Sequence, residues 1–141
     1  MSDVLVPIGD TGEARWGAEQ AIALYRREPG IVHLLCVQRP LPRHVAQFFA
    51  GNELSDYYRD AGLQALAPAV AMLDEAGVPH REHVRVGKPA ETVVGFAHEL
   101  GLDRVVLDAE ARGPLSMLGL GSLGSQVRHL MGAAKPANTP A

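Results

Sequence analysis

Short runs of β-branched and aliphatic residues alternate along this chain with longer stretches in which apolar positions recur every three or four residues. The run "VLVPI" (4 to 8) ends in the turn-rich "GDTG", after which Ala14, Ala18, Ala21, Ile22 and Tyr25 follow at helical spacing. A second apolar run, "IVHLLCV" (31 to 37), lacks polar alternation and therefore predicts a strand covered on both faces, stopped by Pro40 and Pro42. The following "LPRHVAQFFAGN" fits neither period. From Glu53 to Ala76, Leu63, Leu66, Val70 and Leu73 share a helical face, and Pro68 inside the pattern predicts a kink. "HREHVRV" (80 to 86) reads as a half-exposed edge strand. "GKP" then turns the chain into a helix with Pro89 in its first turn and Val93, Val94, Ala97 and Leu100 on its buried face. "RVVLDA" (104 to 109) predicts a fourth strand, a glycine-rich loop follows, and Ser122 opens a last helix that turns Leu123, Val127, Leu130 and Met131 inward.

Strictly alternating strands and helices imply an α/β fold, an open parallel sheet with right-handed crossovers and helices on both faces. A chain of 141 residues is long enough for one such domain, here 1–131. The tail "GAAKPANTPA" (132 to 141) lacks the apolar content to order itself. A net charge of -3 with 21% charged residues gives no footprint for nucleic acid or an anionic membrane surface. No apolar run approaches the ~20 residues of a membrane span, and "MSDVLVPIGD" has no signal-peptide pattern, so a cytoplasmic protein is expected. Cys36, the one cysteine, lies in an apolar run and reads as a small buried hydrophobe, which excludes disulfides and thiolate clusters.

Ligands of open parallel sheets bind beyond the carboxyl ends of the strands, which singles out "GDTGEAR" and "DAEARGPLSMLGLGS". Gly119, Gly121 and Gly124 spell G-x-G-x-x-G, but the dinucleotide reading requires glycines directly after a strand and an acidic residue about 20 positions on. Neither condition is met. Ser122 reads first as a helix cap, and the free N–H groups after Gly121 would suit an anion. Asp10 to Glu13 resembles a capping box, while Asp10 and Asp108 together would suit Mg2+. Thr11 and Gly12 faintly suggest a flavodoxin-like phosphate loop, but Gly9 and Ala14 stand where flanking hydroxyls are needed. His80 and His83, three apart on a strand, point to opposite faces and are expected to be solvated rather than joint metal ligands. Trp16, Phe48, Phe49, Tyr57 and Tyr58 read as core or interface residues. No nucleophile, base and orienting group assemble, so no enzyme activity is expected.

"VLVPI", "HLLCV", "VRVGKPAETVVGFAHELGLDRVVL" and "RGPLSMLGLGSLGSQVRHL", in this order and spacing, resemble the universal stress protein family over roughly the first 130 residues. The resemblance implies a small α/β protein that forms dimers, with one branch binding ATP through a loop G-x-x-G, nine residues, then G-[S/T]. On that pattern Gly121 and Ser122 are kept, and Pro7 and Val37 fall at nucleotide-binding positions. Asp108 and Ala111 replace the two earlier glycines, and Gly9 stands where ATP-binding members carry an Asp, with Asp10 one position on. A carboxylate about 5 Å from a phosphate charge repels it by about 3 kcal/mol at an effective dielectric near 20, more than a hundredfold in affinity.

The family's fifth strand has no counterpart, because Pro136 and Pro140 cannot sit in a central strand. Four strands in the order 3-2-1-4 are therefore expected, with 104–109 at an edge that invites a second copy of the chain, or another protein, to pair. The sequence-level expectation is a non-catalytic binding or regulatory module with a degenerate ATP loop and no required cofactor. The alternative is a stress switch or weak hydrolase taking ATP or AMP with Mg2+ at the Gly121/Ser122 helix end.

Overall fold

The computed structural model describes residues 3–9, 14–102 and 104–106. Three parallel strands, β1 (Val4–Ile8), β2 (Val32–Gln38) and β3 (His80–Val86), form a sheet in the order β1-β2-β3. Their register runs Val4 against Val32 against His80. On the free side of β1, Leu5 forms an isolated parallel bridge with Val105. The expected fourth strand, 104–109, is described only to Val106, and the last helix with Leu123, Val127, Leu130 and Met131 lies outside the described residues.

Helices α1 (Ala14–Arg27), a short α2 (Arg43–Ala46), α3 (Glu53–Ala76) and α4 (Pro89–Leu100) connect the strands. Strand parity assigns their faces. Even-numbered Val4, Val6, Ile8, Val32, Leu34 and Cys36 pack with α1 and α3, whereas Leu5 and Leu35 pack with Ala90, Val93, Phe96 and Ala97 of α4 and with Val105. With β2 sandwiched between these layers, Val32 to Cys36 are all buried, the burial predicted by the absence of alternation. β3 is half-exposed, as an edge strand. Cys36 is fully buried.

α3 and α4 stop at glycines in the left-handed region, Gly77 (φ 72°) and Gly101 (φ 69°). After each, a wrap-around bond closes the helix, Val78 N–H to Leu73 O at 2.9 Å and Leu102 N–H to Ala97 O at 2.8 Å. Two residues expected in the core are exposed, Leu63 at 37% and Leu100 at 39%. On α3 the buried stripe is Tyr58, Gly62, Leu66, Ala69 and Leu73, one position off the stripe drawn through Leu63. Small residues at 62 and 69 admit close approach to the sheet, which leucine-counting overlooks. On α4 the stripe closes on Phe96 instead of Leu100. Among the aromatics, Tyr58 is buried and accepts the Leu41 N–H at 2.8 Å, while Phe48 stands 82% exposed. No described helix is long and apolar enough to cross a membrane.

Candidate functional site

The ladder bonds define what the carboxyl end of β1 offers to a ligand. Val4 N–H donates to Ile31 O at 3.1 Å, so the even residues of β1 bond toward β2 and the odd ones toward 104–106. On that second side Leu5 N–H donates to Arg104 O at 2.9 Å and Val106 N–H to Leu5 O at 2.8 Å. The next rung would be an N–H at position 7 donating to Val106 O. Pro7 has none, so the ladder lacks that rung, and among the described residues the two strands share only these two bonds. This is also where the chain's order reverses: β2 lies on one side of β1 and the 104–106 segment, last in sequence, on the other. Such a switch point is where open parallel sheets leave a crevice for ligands.

The second wall comes from β2. Its register places Cys36 opposite Ile8, so Val37 extends one residue past the end of β1. By the same alternation the Val37 N–H faces Ile8 O, and its carbonyl faces beyond the strand end toward the mouth of the crevice. Pro7 and Val37 have the same parity, lie on the α4 face and are both half-buried beside fully covered Leu35. A ring plane thus finds apolar flanks there, and a backbone acceptor at the rim. Gly9 follows directly on the β1 side and is half-buried. Beyond β2 and β3, exposed Arg39 and Lys88 place two cations at this end of the sheet, and Gly87 N–H ties the β3 turn to Gln38 O at 3.0 Å. The fold therefore brings together Pro7, Gly9 and Val37. Asp10, Asp108, Ala111, Gly121 and Ser122 lie outside the described residues. So do the Asp10–Glu13 capping box, the Asp10/Asp108 Mg2+ pair and Thr11 and Gly12. Among the described residues no three His, Cys, Asp or Glu side chains are grouped to hold a metal ion.

A polar cluster that sequence reasoning missed lies under α4. His33, 7% exposed, sets its Nδ1 3.1 Å from Nε2 of His83, and the two rings stack with centroids 5.3 Å apart. Phe96 packs on His83 at 4.7 Å between centroids, and the Arg85 guanidinium lies over the other part of that assembly, 4.8 Å from the Phe96 centroid. Asp3 Oδ2 is 3.8 Å from His33 Nε2, while its Oδ1 accepts the Ile31 N–H at 2.9 Å. Burial is the main reason both imidazoles are held below their ordinary pKa. For His33 the Asp3 charge opposes that shift, and for His83 the neighbouring His33 reinforces it. The expectation of solvated histidines thus fails: His83 is covered by His33 and Phe96. His80, on the opposite face as predicted, donates from Nδ1 to Val78 O at 2.9 Å and sets Nε2 3.4 Å from Asp74 Oδ1. The available signal was His33 itself, the one imidazole in an apolar run, with the same parity as His83 in the register.

Solved structures share this fold. A universal stress protein family member from Burkholderia pseudomallei is 19% identical, with 99% of this chain and 96% of that one covered and a TM-score of 0.66. The universal stress protein from Archaeoglobus fulgidus, in complex with dAMP, is 20% identical over 96% of this chain and 94% of that one, with a TM-score of 0.64. An Arabidopsis thaliana family protein with AMP bound is 15% identical over 96% and 89%, with a TM-score of 0.61. No curated protein matches the chain. The model of the universal stress protein family matches residues 1–131, and the chain belongs to that family.

Proposed function

We propose that this protein is a non-catalytic regulatory module whose crevice receives an adenine nucleoside monophosphate in preference to ATP. The carrying observation is the sheet order at β1, with β2 on one side and the 104–106 segment on the other, where Pro7 supplies no ladder N–H and Val37 reaches one residue past the end of β1. That arrangement offers a slot for a base and an acceptor for its exocyclic amine. Relatives of the same fold that hold AMP or dAMP support an adenine ligand. The loop that would receive further phosphates carries Asp108 and Ala111 in place of two glycines. A carboxylate there repels each phosphate charge at about 5 Å by about 3 kcal/mol, so the triphosphate loses more than the monophosphate. Gly121 and Ser122 remain to meet a single phosphate at a helix amino end. With Gly9 where other members carry a carboxylate, no metal-dependent step is built into this reading. The sheet is completed in the order 3-2-1-4 without a fifth strand, and the edge at 104–109 is covered in a homo-oligomer.

Titration calorimetry with adenosine, AMP and ATP, each with and without Mg2+, tests the reading. AMP is expected to bind at least tenfold more tightly than ATP, and the variant combining Asp108→Gly with Ala111→Gly is expected to recover ATP. Wild-type protein that binds ATP more tightly than AMP would overturn it.

A further inference from the structure

The His33–His83 pair takes no part in the crevice, yet it joins β2, β3 and α4 at one partly buried point. We propose that it is a proton-operated latch: with at most one proton beyond neutrality it holds α4 on the sheet, and a second proton breaks it.

The gap between the rings responds to the number of protons the pair carries. With the His33 Nε2–H directed at Asp3, its Nδ1 carries a lone pair, and the His83 Nε2–H donates across the 3.1 Å gap. Adding one proton leaves the bond intact. Placed on His83 Nδ1, it strengthens the donor; placed on His33 Nδ1, it reverses the bond once His83 shifts its hydrogen to Nδ1. A second proton puts hydrogens on both nitrogens of the gap, and no acceptor remains. Two like charges then face each other within a partly buried stack, and one ring must leave.

The surrounding charges set which ring is charged first. Asp3, preceding β1, favours charge on His33, and Glu99 of α4 favours it on His83. Arg81 of β3 opposes charge on both, and Arg85 of β3 opposes it on His83. His33 is closed in, so His83 on the edge strand is the ring that swings out. Phe96 is only 3% exposed and packs against His83, so its departure uncovers the α4 contact. Val93, Ala97 and Val105 belong to the same apolar cluster as Phe96, which carries the loosening along α4 toward the Leu5–Val105 bridge.

Hydrogen exchange of the α4 amides between pH 7.5 and 5, corrected for the intrinsic pH dependence, tests the latch alongside long-range nitrogen NMR of both imidazoles. The NMR should show two coupled titrations, and α4 exchange should rise about tenfold as the second step is crossed, the factor equivalent to one pK unit. His83→Gln, whose amide still donates to His33 Nδ1 but takes no proton, should flatten that rise. Two independent titrations, or α4 protection unchanged while both rings are protonated, would overturn the proposal, and the wild-type measurements decide it even where the variant fails to fold.

Discussion

Gly62 of α3 lies against Val84 of β3 so closely that a Cβ at position 62 would come within 2.5 Å of one Val84 methyl and 2.6 Å of the other. The bare backbone there sets the distance between α3 and the edge strand. Gly62→Ala should therefore destabilise despite the better helix propensity of alanine. Overpacking costs about 1–3 kcal/mol and the propensity gain returns at most about 1. Urea unfolding should show a net loss of about 1–2 kcal/mol, with a coupling energy of about 1 kcal/mol or more when Val84→Ala is combined with it. Additivity of the two changes would show that the contact does not set the spacing.

Gly95 of α4 provides the opposite case. It is exposed in mid-helix, and an added Cβ meets nothing within 4 Å. Gly95→Ala should raise stability by about 0.5–1 kcal/mol, the helix-interior difference between the two residues. The same urea titration measures it, and the contrast in sign between positions 62 and 95 separates packing from propensity.

Acidification should weaken the fold well above the range where carboxylates titrate. His33 and His83 are held below the ordinary value of 6.5 by burial, so below that pH the unfolded chain takes up protons the folded chain resists. Stability is then fully present above about pH 7 and falls as pH drops through 6.5 toward the folded-state values. Denaturant midpoints at pH 7.5, 6.5 and 5.5 should decrease in that order, and less steeply in His83→Gln. A midpoint that rises on acidification would mean that Asp3 and Glu99 outweigh burial.

Periodicity made the layers of this fold legible and left its contacts hidden. The strand bounds Val4–Ile8 and His80–Val86 and the helix bounds Glu53–Ala76 follow directly from where apolar runs begin and where Gly and Pro interrupt them. Burial of β2 on both faces was readable because nothing polar but His33 breaks its run. That same residue marks the limit. Parity places His33 and His83 on faces, but only the β2–β3 register, joining positions 50 apart, puts the rings together. The α3 stripe departs from the leucine pattern for a related reason: Gly62 and Ala69 are buried by shape, which hydrophobicity does not encode. Of the candidate site, Pro7, Gly9 and Val37 came from resemblance to the family and not from periodicity, and sheet order places the three at neighbouring strand ends.

Pro7 yields the most direct test of how the crevice is kept open. Pro7→Val supplies the N–H that the ladder lacks opposite Val106 O, and valine suits a strand at least as well as proline. The pairing of β1 with the 104–106 segment should then gain one further bond, adding about 0.5–1.5 kcal/mol of stability. The amide at position 7 should exchange slowly, like that of a ladder interior. Zipping the two walls also removes space from the slot beside Val37, so AMP affinity should fall while the fold becomes more stable. Calorimetry and hydrogen exchange on the same sample check both halves. A slowly exchanging amide with undiminished AMP affinity would place the nucleotide elsewhere, and a rapidly exchanging one would mean that a feature other than the missing N–H holds the strands apart.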